Sequence, residues 1–254
     1  MQMIPVSDAT LSSLALGRQG RPSAVLIHGL LFGNMATWYT SLAAQLAETH
    51  HVVLYDQRGH GDSPVAATGY DFRTQIEDLQ TVLSHHGMAD GPVDVVGHSM
   101  GAVIALQFAL RHPERVRRLV LVDAPLPLGR HVLPELLAVD RPDVLAGYIG
   151  ERQQKAAERR LRRIHRRLEG LFFQSTLVAD LAAEPEISDE AMSRLIPATL
   201  LVYGRGSECV ETGRRLGRLL PEARLELLDC GHYVVEEAPA ELRRLVIPFL
   251  AEAV

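Results

Sequence analysis

The chain has 254 residues, 47% of them hydrophobic, and a formal net charge of −5. That length suits one domain with room for an insertion, and it is enough to enclose a sizeable core. The acidic balance argues against a nucleic-acid partner, and no apolar run reaches the roughly 18 residues of a transmembrane helix, so no membrane partner is expected.

The N-terminal stretch MQMIPVSDATLSSLALGRQG lacks a charged segment followed by a long apolar run, so no secretion signal is expected. With neither a secretion signal nor a transmembrane run, the expected compartment is the cytoplasm; Cys209 and Cys230, the two cysteines, are too few for a disulfide framework and read there as free thiols. Arginine dominates the positive charge, with Lys155 the single lysine, which reads as compositional bias.

Six short apolar runs follow in chain order: Ala24–His28, Val52–Asp56, Val93–Gly97, Leu119–Asp123, Ala198–Gly204 and Leu225–Asp229. None alternates cleanly between polar and apolar residues, which predicts strands buried on both faces of a parallel sheet. Helical patterning occupies Thr37–Glu48, Arg73–His86, Met100–Arg111, Glu211–Leu220 and Ala240–Ala253, with Pro239 at a helix start where proline is tolerated. Strand and helix in alternation predict an α/β fold with a doubly wound, mostly parallel sheet. About 70 residues separate the fourth and fifth strands, far more than one crossover helix needs. The expected division is a core of residues 1–124 and 196–254 with an inserted helical lid at 125–195.

Gly97-His98-Ser99-Met100-Gly101 lies between a predicted strand and a predicted helix. In that context the G-x-S-x-G pattern places a serine on a sharp, strained turn, its hydroxyl at the carboxyl end of the sheet and at a helix N-terminus. With His28-Gly29 after an early strand, Asp56-Gln57-Arg58-Gly59-His60-Gly61-Asp62-Ser63 after the next, and Gly231-His232 near the end, the chain resembles the α/β-hydrolase family over nearly its whole length, least so in the lid.

A serine needs a base, normally histidine, oriented by a third group. The resemblance points to His232, in a loop reading Asp-Cys-Gly-His-Tyr ahead of the final helix. His98, His28 and His60 are assigned structural roles. For the acid, the resemblance implies a residue in the loop after the fifth strand, three or four positions beyond Gly204; the first is Ser207, which cannot serve, and the second is Glu208. Asp123, at the end of the strand after the nucleophile helix, is the alternative, and Glu211 is a third. The resemblance also implies an oxyanion hole from the backbone N–H groups of Met100 and Leu30, with Leu31 as the fallback. Leu31 and Trp38 are candidates for the pocket wall, and Trp38 reads equally well as core. The Asp56–Ser63 segment lacks the spacing of a phosphate loop and reads as a turn in which Arg58 and Asp56 hold neighbouring loops. No cofactor or metal is implied.

Within the lid, residues Glu151–Gly170 carry Arg152, Lys155, Arg159, Arg160, Arg162, Arg163, Arg166 and Arg167 against Glu151, Glu158 and Glu169, a local charge of +5. Ala157, Leu161, Ile164, Leu168 and Leu171 recur at helical spacing as one apolar face. The charged face reads as solvated, or as an anion site for a charged substrate or an acyl carrier protein, which would make the enzyme a thioesterase. The leading functional expectation is hydrolysis of a carboxylic ester, thioester or lactone through an acyl-enzyme. Carbon–carbon cleavage, lyase chemistry or cofactor-free perhydrolysis by the same triad is the second. A ligand-binding or signalling role is the third.

Overall fold

The computed structural model describes residues 1–154 and 157–252. Lys155 and Ala253, which the sequence places in helices, lie outside the described residues. Eight strands form one sheet in the order β1-β2-β4-β3-β5-β6-β7-β8. They are β1 (Gln2–Pro5), β2 (Thr10–Leu16), β3 (Ser23–Ile27), β4 (His51–Tyr55), β5 (Val93–His98), β6 (Val116–Val122), β7 (Ala198–Gly204) and β8 (Ala223–Leu228). β2 pairs antiparallel with both β1 and β4, and every pairing from β4 to β8 is parallel. The six expected strands are all present. The β1–β2 hairpin is an addition that the sequence pattern did not suggest. Its segment carries Ser12 and Ser13 where apolar residues would be looked for, and both serines are buried. Partners distant in the chain meet their polar groups: the Ser12 N–H donates to Ser63 Oγ at 2.8 Å, and Ser13 Oγ meets His86 Nε2 at 3.0 Å.

The central strands are buried on both faces because side chains alternate between two apolar layers. In β3, Val25 and Ile27 enter one cluster and Ala24 and Leu26 the other. In β7, Leu201 and Tyr203 face one way and Leu200 and Val202 the other. Each Val, Leu or Ile among them, fully buried, contributes roughly 1.5–3 kcal/mol. One layer is closed by α3 (Phe72–His85), α4 (Met100–Arg111) and α11 (Val210–Leu219). The other is closed by a helical stretch made of α1 (Met35–Trp38), a π-helical turn (Tyr39–Ala43) and α2 (Ala44–Leu46), and by α12 (Val234–Glu237) and α13 (Pro239–Ala251). Trp38 belongs to this second layer and is fully buried.

Between β6 and β7, the described residues form α5 (Leu128–His131), α6 (Leu133–Ala138), α7 (Pro142–Arg152), α8 (Glu158–Phe173), α9 (Leu177–Ala183) and α10 (Asp189–Met192). All lie inside the 125–195 stretch read as an insertion. Their apolar residues, among them Leu145, Ile164, Leu168 and Leu181, join the same cluster as the sheet. Ile164, Leu168 and Leu171 form the buried face of α8, whereas Ala157 at its start is exposed. Polar anchors add to this: the Tyr70 N–H donates to Asp180 and the Phe72 N–H to Glu184.

Two close approaches fix the carboxyl end of the sheet. A Cβ on Gly101 would stand 2.3 Å from the Ile27 carbonyl oxygen and 2.5 Å from that of His28, and one on Gly97 would stand 2.3 Å from the Gly101 oxygen. Neither neighbour is a flexible side chain. Gly101→Ala should therefore destabilise the fold by about 1–3 kcal/mol through overpacking, read as a lowered denaturation midpoint in urea with an unchanged slope.

Candidate active site

The loops after β3, β5, β6, β7 and β8 converge around Ser99. Among the described residues, three non-glycine residues adopt a positive φ: Leu31 at 63°, Ser99 at 53° and Asp123 at 49°. All three follow strand ends at this site, where backbone strain concentrates in functional loops. Ser99 is the residue before α4, and its N–H is held by the Val122 carbonyl at 2.8 Å.

The Ser99 hydroxyl lies 2.9 Å from His232 Nε2, and His232 Nδ1 lies 2.6 Å from Asp123 Oδ2. The carboxylate accepts from Nδ1–H, which leaves Nε2 to accept from the serine hydroxyl. The expectation that Glu208 meets His232 is corrected here. Glu208 is an exposed residue on the wall of the cleft and makes no hydrogen bond to His232, and Glu211 lies within α11 with its side chain paired to Arg214. β6 runs beside β5, so its end brings Asp123 under the histidine loop. The loop after β7 instead turns its Ser207 inward. The Ser207 hydroxyl and the Gly204 N–H both donate to Asp123, the latter at 2.9 Å, and Ser207 Oγ accepts from the Cys209 N–H at 3.0 Å. Ser207, unsuited to be the acid, is part of the cradle for it.

Burial opposes protonation of His232, but the hydrogen bond to Asp123 and its charge outweigh that effect, so the imidazole pKa lies above its usual 6.5. His98 behaves differently. Its Nε2–H donates to the His232 carbonyl at 3.0 Å, which holds the histidine loop in place, and burial together with the neighbouring His232 pushes its pKa down to about 4.

The loop after β3 is built on two more neutral histidines. His28 Nε2 accepts from the Gln57 N–H at 3.0 Å while its Nδ1–H donates to the Gly29 carbonyl at 2.7 Å, and burial lowers its pKa to about 4. His60 Nε2 accepts from the Leu31 N–H at 2.9 Å, and its Nδ1–H donates to the Arg58 carbonyl. That bond uses the Leu31 donor, so the fallback oxyanion position is occupied internally. The N–H groups of Leu30 and Met100 have no internal partner among the described residues. Asp56 accepts from Met35 and Asp62 N–H groups, and Arg58 pairs with Asp78 through two bonds of 2.6 and 2.9 Å. The reading of both as loop anchors agrees with these contacts.

A cavity of about 320 Å³ opens over Ser99, within the size range of small-molecule sites. Leu31 lines it, while Trp38 does not; the tryptophan is core, and its candidacy for the pocket is withdrawn. The outer wall comes from the β6–β7 helices, where the Arg152 guanidinium stacks on Tyr148 and pairs with Glu135 at 3.0 Å, and from Phe32, which stacks against Tyr148. These wall residues carry no motif that sequence reasoning could have caught. None of the described α8 arginines lines the cavity. Asp123, Cys209 and His232 bring donor atoms within 4.8 Å of one another and could hold a metal ion. Burial raises the Cys209 thiol to about 12, aided by the charges of Asp123 and Glu208, and burial raises Cys230 to about 11, so both stay protonated at neutral pH.

A sequence model described as the alpha/beta hydrolase fold matches residues 23–186. The chain belongs to the α/β-hydrolase fold family. The 2-hydroxymuconate semialdehyde hydrolase of Pseudomonas putida is 32% identical to it over 236 residues, spanning 82% of this chain and 79% of that one. A Variovorax paradoxus protein named for carbamate hydrolysis is 41% identical, but the match spans 40% of this chain and 38% of that one. A solved hydrolase structure from Pseudomonas aeruginosa superimposes with a TM-score of 0.80 at 23% identity, covering 99% of this chain and 98% of that one, a likeness of fold. Among the described residues no helix is long and apolar enough to cross a membrane.

The depressed histidines make a pH prediction. Unfolded, His28 and His98 protonate near 6.5; folded, they resist protonation down to about 4. The unfolded state therefore binds more protons in that interval, and stability falls as pH drops through it. Thermal melts at constant ionic strength should show a melting temperature that declines from pH 6.5 towards 4. A flat profile contradicts the neutral-histidine assignment.

Proposed function

We propose that this α/β-hydrolase cleaves a carboxylic ester, thioester or lactone through an acyl-enzyme formed on Ser99. The observation that carries the reading is the continuous hydrogen-bond chain from Ser99 Oγ through His232 to Asp123. His232 takes the serine proton as Oγ attacks the carbonyl, and Asp123 stabilises the imidazolium that forms. The negative charge on the carbonyl oxygen is received by the Leu30 and Met100 N–H groups, a contribution of roughly 3–4 kcal/mol per donor. His232 then protonates the leaving group and activates the water that releases the acyl group.

The relatives give no support to an acyl carrier protein as partner; of the described basic residues between 151 and 170, Arg152 lines the cavity and the α8 arginines stand off its wall. A small-molecule acyl compound is the substrate class. The helices at 125–195 act as a lid in this reading, because Glu135, Tyr148 and Arg152 form the outer wall of the cleft. A cytoplasmic setting rests on the unbonded Cys209 and Cys230. Carbon–carbon cleavage by the same triad, the alternative that the family resemblance raises, is the second reading, beside the similarity over most of both chains to a Pseudomonas putida hydrolase named for 2-hydroxymuconate semialdehyde.

Intact-mass measurement after a fluorophosphonate probe tests the nucleophile: one adduct is expected on the wild type and none on Ser99→Ala. An unlabelled wild type rejects the reading. A p-nitrophenyl ester series of increasing acyl length, run against a dienoate ketone, separates ester from carbon–carbon hydrolysis. On the preferred ester, Asp123→Asn should lower kcat by about 10⁴-fold, the scale seen when a triad acid is neutralised, whereas Glu208→Gln stays within a few-fold of wild type. Because His232 must be neutral to act as base and its pKa is raised, kcat/KM should rise with pH through a midpoint above 6.5. Asp123→Asn should move that midpoint down.

A further inference from the structure

The arginine-rich helix α8 is not absorbed by the catalytic reading, except at one residue. Arg167 leaves the run of exposed arginines and turns inward, where its Nη2 donates to the Leu31 carbonyl at 3.0 Å. The Leu31 N–H is bound by His60 at 2.9 Å. One residue, held at a φ of 63° without being glycine, is thus clamped at both its donor and its acceptor.

This arrangement has a cost. The Arg167 Nε is buried with no hydrogen-bond partner, and burial together with Arg163 and Arg160 lowers the pKa of the guanidinium, against the attraction of Asp56. A methionine or leucine there would pack without desolvating a charge. What the guanidinium supplies instead is a charge-assisted bond to a specific carbonyl. That carbonyl belongs to the residue after Leu30. Rotation of Leu31 towards an ordinary negative φ would turn the preceding peptide units against the rest of the loop, and Leu30, which lines the cavity over Ser99, belongs to them.

We propose that Arg167 is a positioning residue that locks the Leu31 backbone and so holds the Leu30 N–H in its oxyanion-binding orientation. This rests on the reading of Leu30 as an oxyanion donor. It assigns to one arginine of α8 a role in the transition state rather than in substrate affinity, although it touches no substrate.

The test compares Arg167→Met with Arg162→Gln, an exposed arginine on the same helix whose partner is Glu158. In Arg167→Met, kcat for a p-nitrophenyl ester should fall at least tenfold with KM within twofold. Inhibition by a trifluoromethyl ketone, which forms the tetrahedral adduct, should weaken by the same factor. Hydrogen exchange of the 29–33 amides should accelerate, while Arg162→Gln leaves all three unchanged. Wild-type exchange and kcat in a folded Arg167→Met protein overturn the proposal, as does a loss in kcat with undiminished ketone affinity. Arg167→Lys keeps a donor and covers the case in which the methionine variant does not fold. In it kcat and loop protection must move together, and movement of one without the other rejects the proposal. The exchange readout stands apart from activity: failure of Ser99 to take the fluorophosphonate would reject the functional reading, whereas unchanged loop exchange would reject the role of Arg167.

Discussion

The whole site depends on how closely the start of α4 approaches the end of β3. Gly101 sits against the Ile27 and His28 carbonyls with no space for a side chain. That contact sets the nucleophile turn beside the loop that carries Leu30, so the attacking oxygen and the candidate anion donors share one small volume. The strain required is distributed over three residues that end or follow adjacent strands, Leu31, Ser99 and Asp123. Each has its backbone or side chain fastened by partners from other elements, so the strain persists because the surroundings over-determine it.

Charge is organised as carefully as shape. Besides His131 on the cavity wall, four histidines stand on the loops at this end of the sheet, and three of them stay neutral through burial: His28 and His60 as acceptors for backbone N–H groups and His98 as a donor to the His232 carbonyl. Only His232 is paired with a carboxylate, and only its pKa is raised among these four. Asp123 in turn is satisfied by Gly204 and Ser207. The same imidazole group therefore serves as rigid scaffold or as proton carrier according to whether its neighbour is a backbone group or an acid.

Much of this was legible in sequence. The central strands announce themselves because both of their faces are buried, and the Ser99 turn because two glycines at fixed spacing are a steric requirement. The N-terminal hairpin was not legible, since its buried Ser12 and Ser13 are satisfied by Ser63 and His86, partners 51 and 73 residues away. The acid was ambiguous for a similar reason. Asp123 and Glu208 both follow strand ends, and the choice between them depends on the direction of a ring 109 residues from Asp123. Trp38 was open between wall and core because a lone tryptophan beside a loop has no local signature of burial. Arg167 is hidden among neighbours of identical type, and only the inward turn of its side chain sets it apart.

The continuity of the stretch between β6 and β7 has a consequence for how such a chain changes over time. It leaves the sheet just after Asp123 and returns at Ala198, and its helices supply Glu135, Tyr148 and Arg152 to the cleft. A single contiguous segment thus shapes the outer wall, while Ser99, Asp123 and His232 all come from outside it. On the proposed reading, design could exchange the segment to alter selectivity while the three reacting side chains stay in place. The exchange is not free of conditions. A replacement segment must restore an equivalent of the Arg167 bond to Leu31, which, with the Tyr70–Asp180 and Phe72–Glu184 bonds, ties the exchangeable part to the sheet.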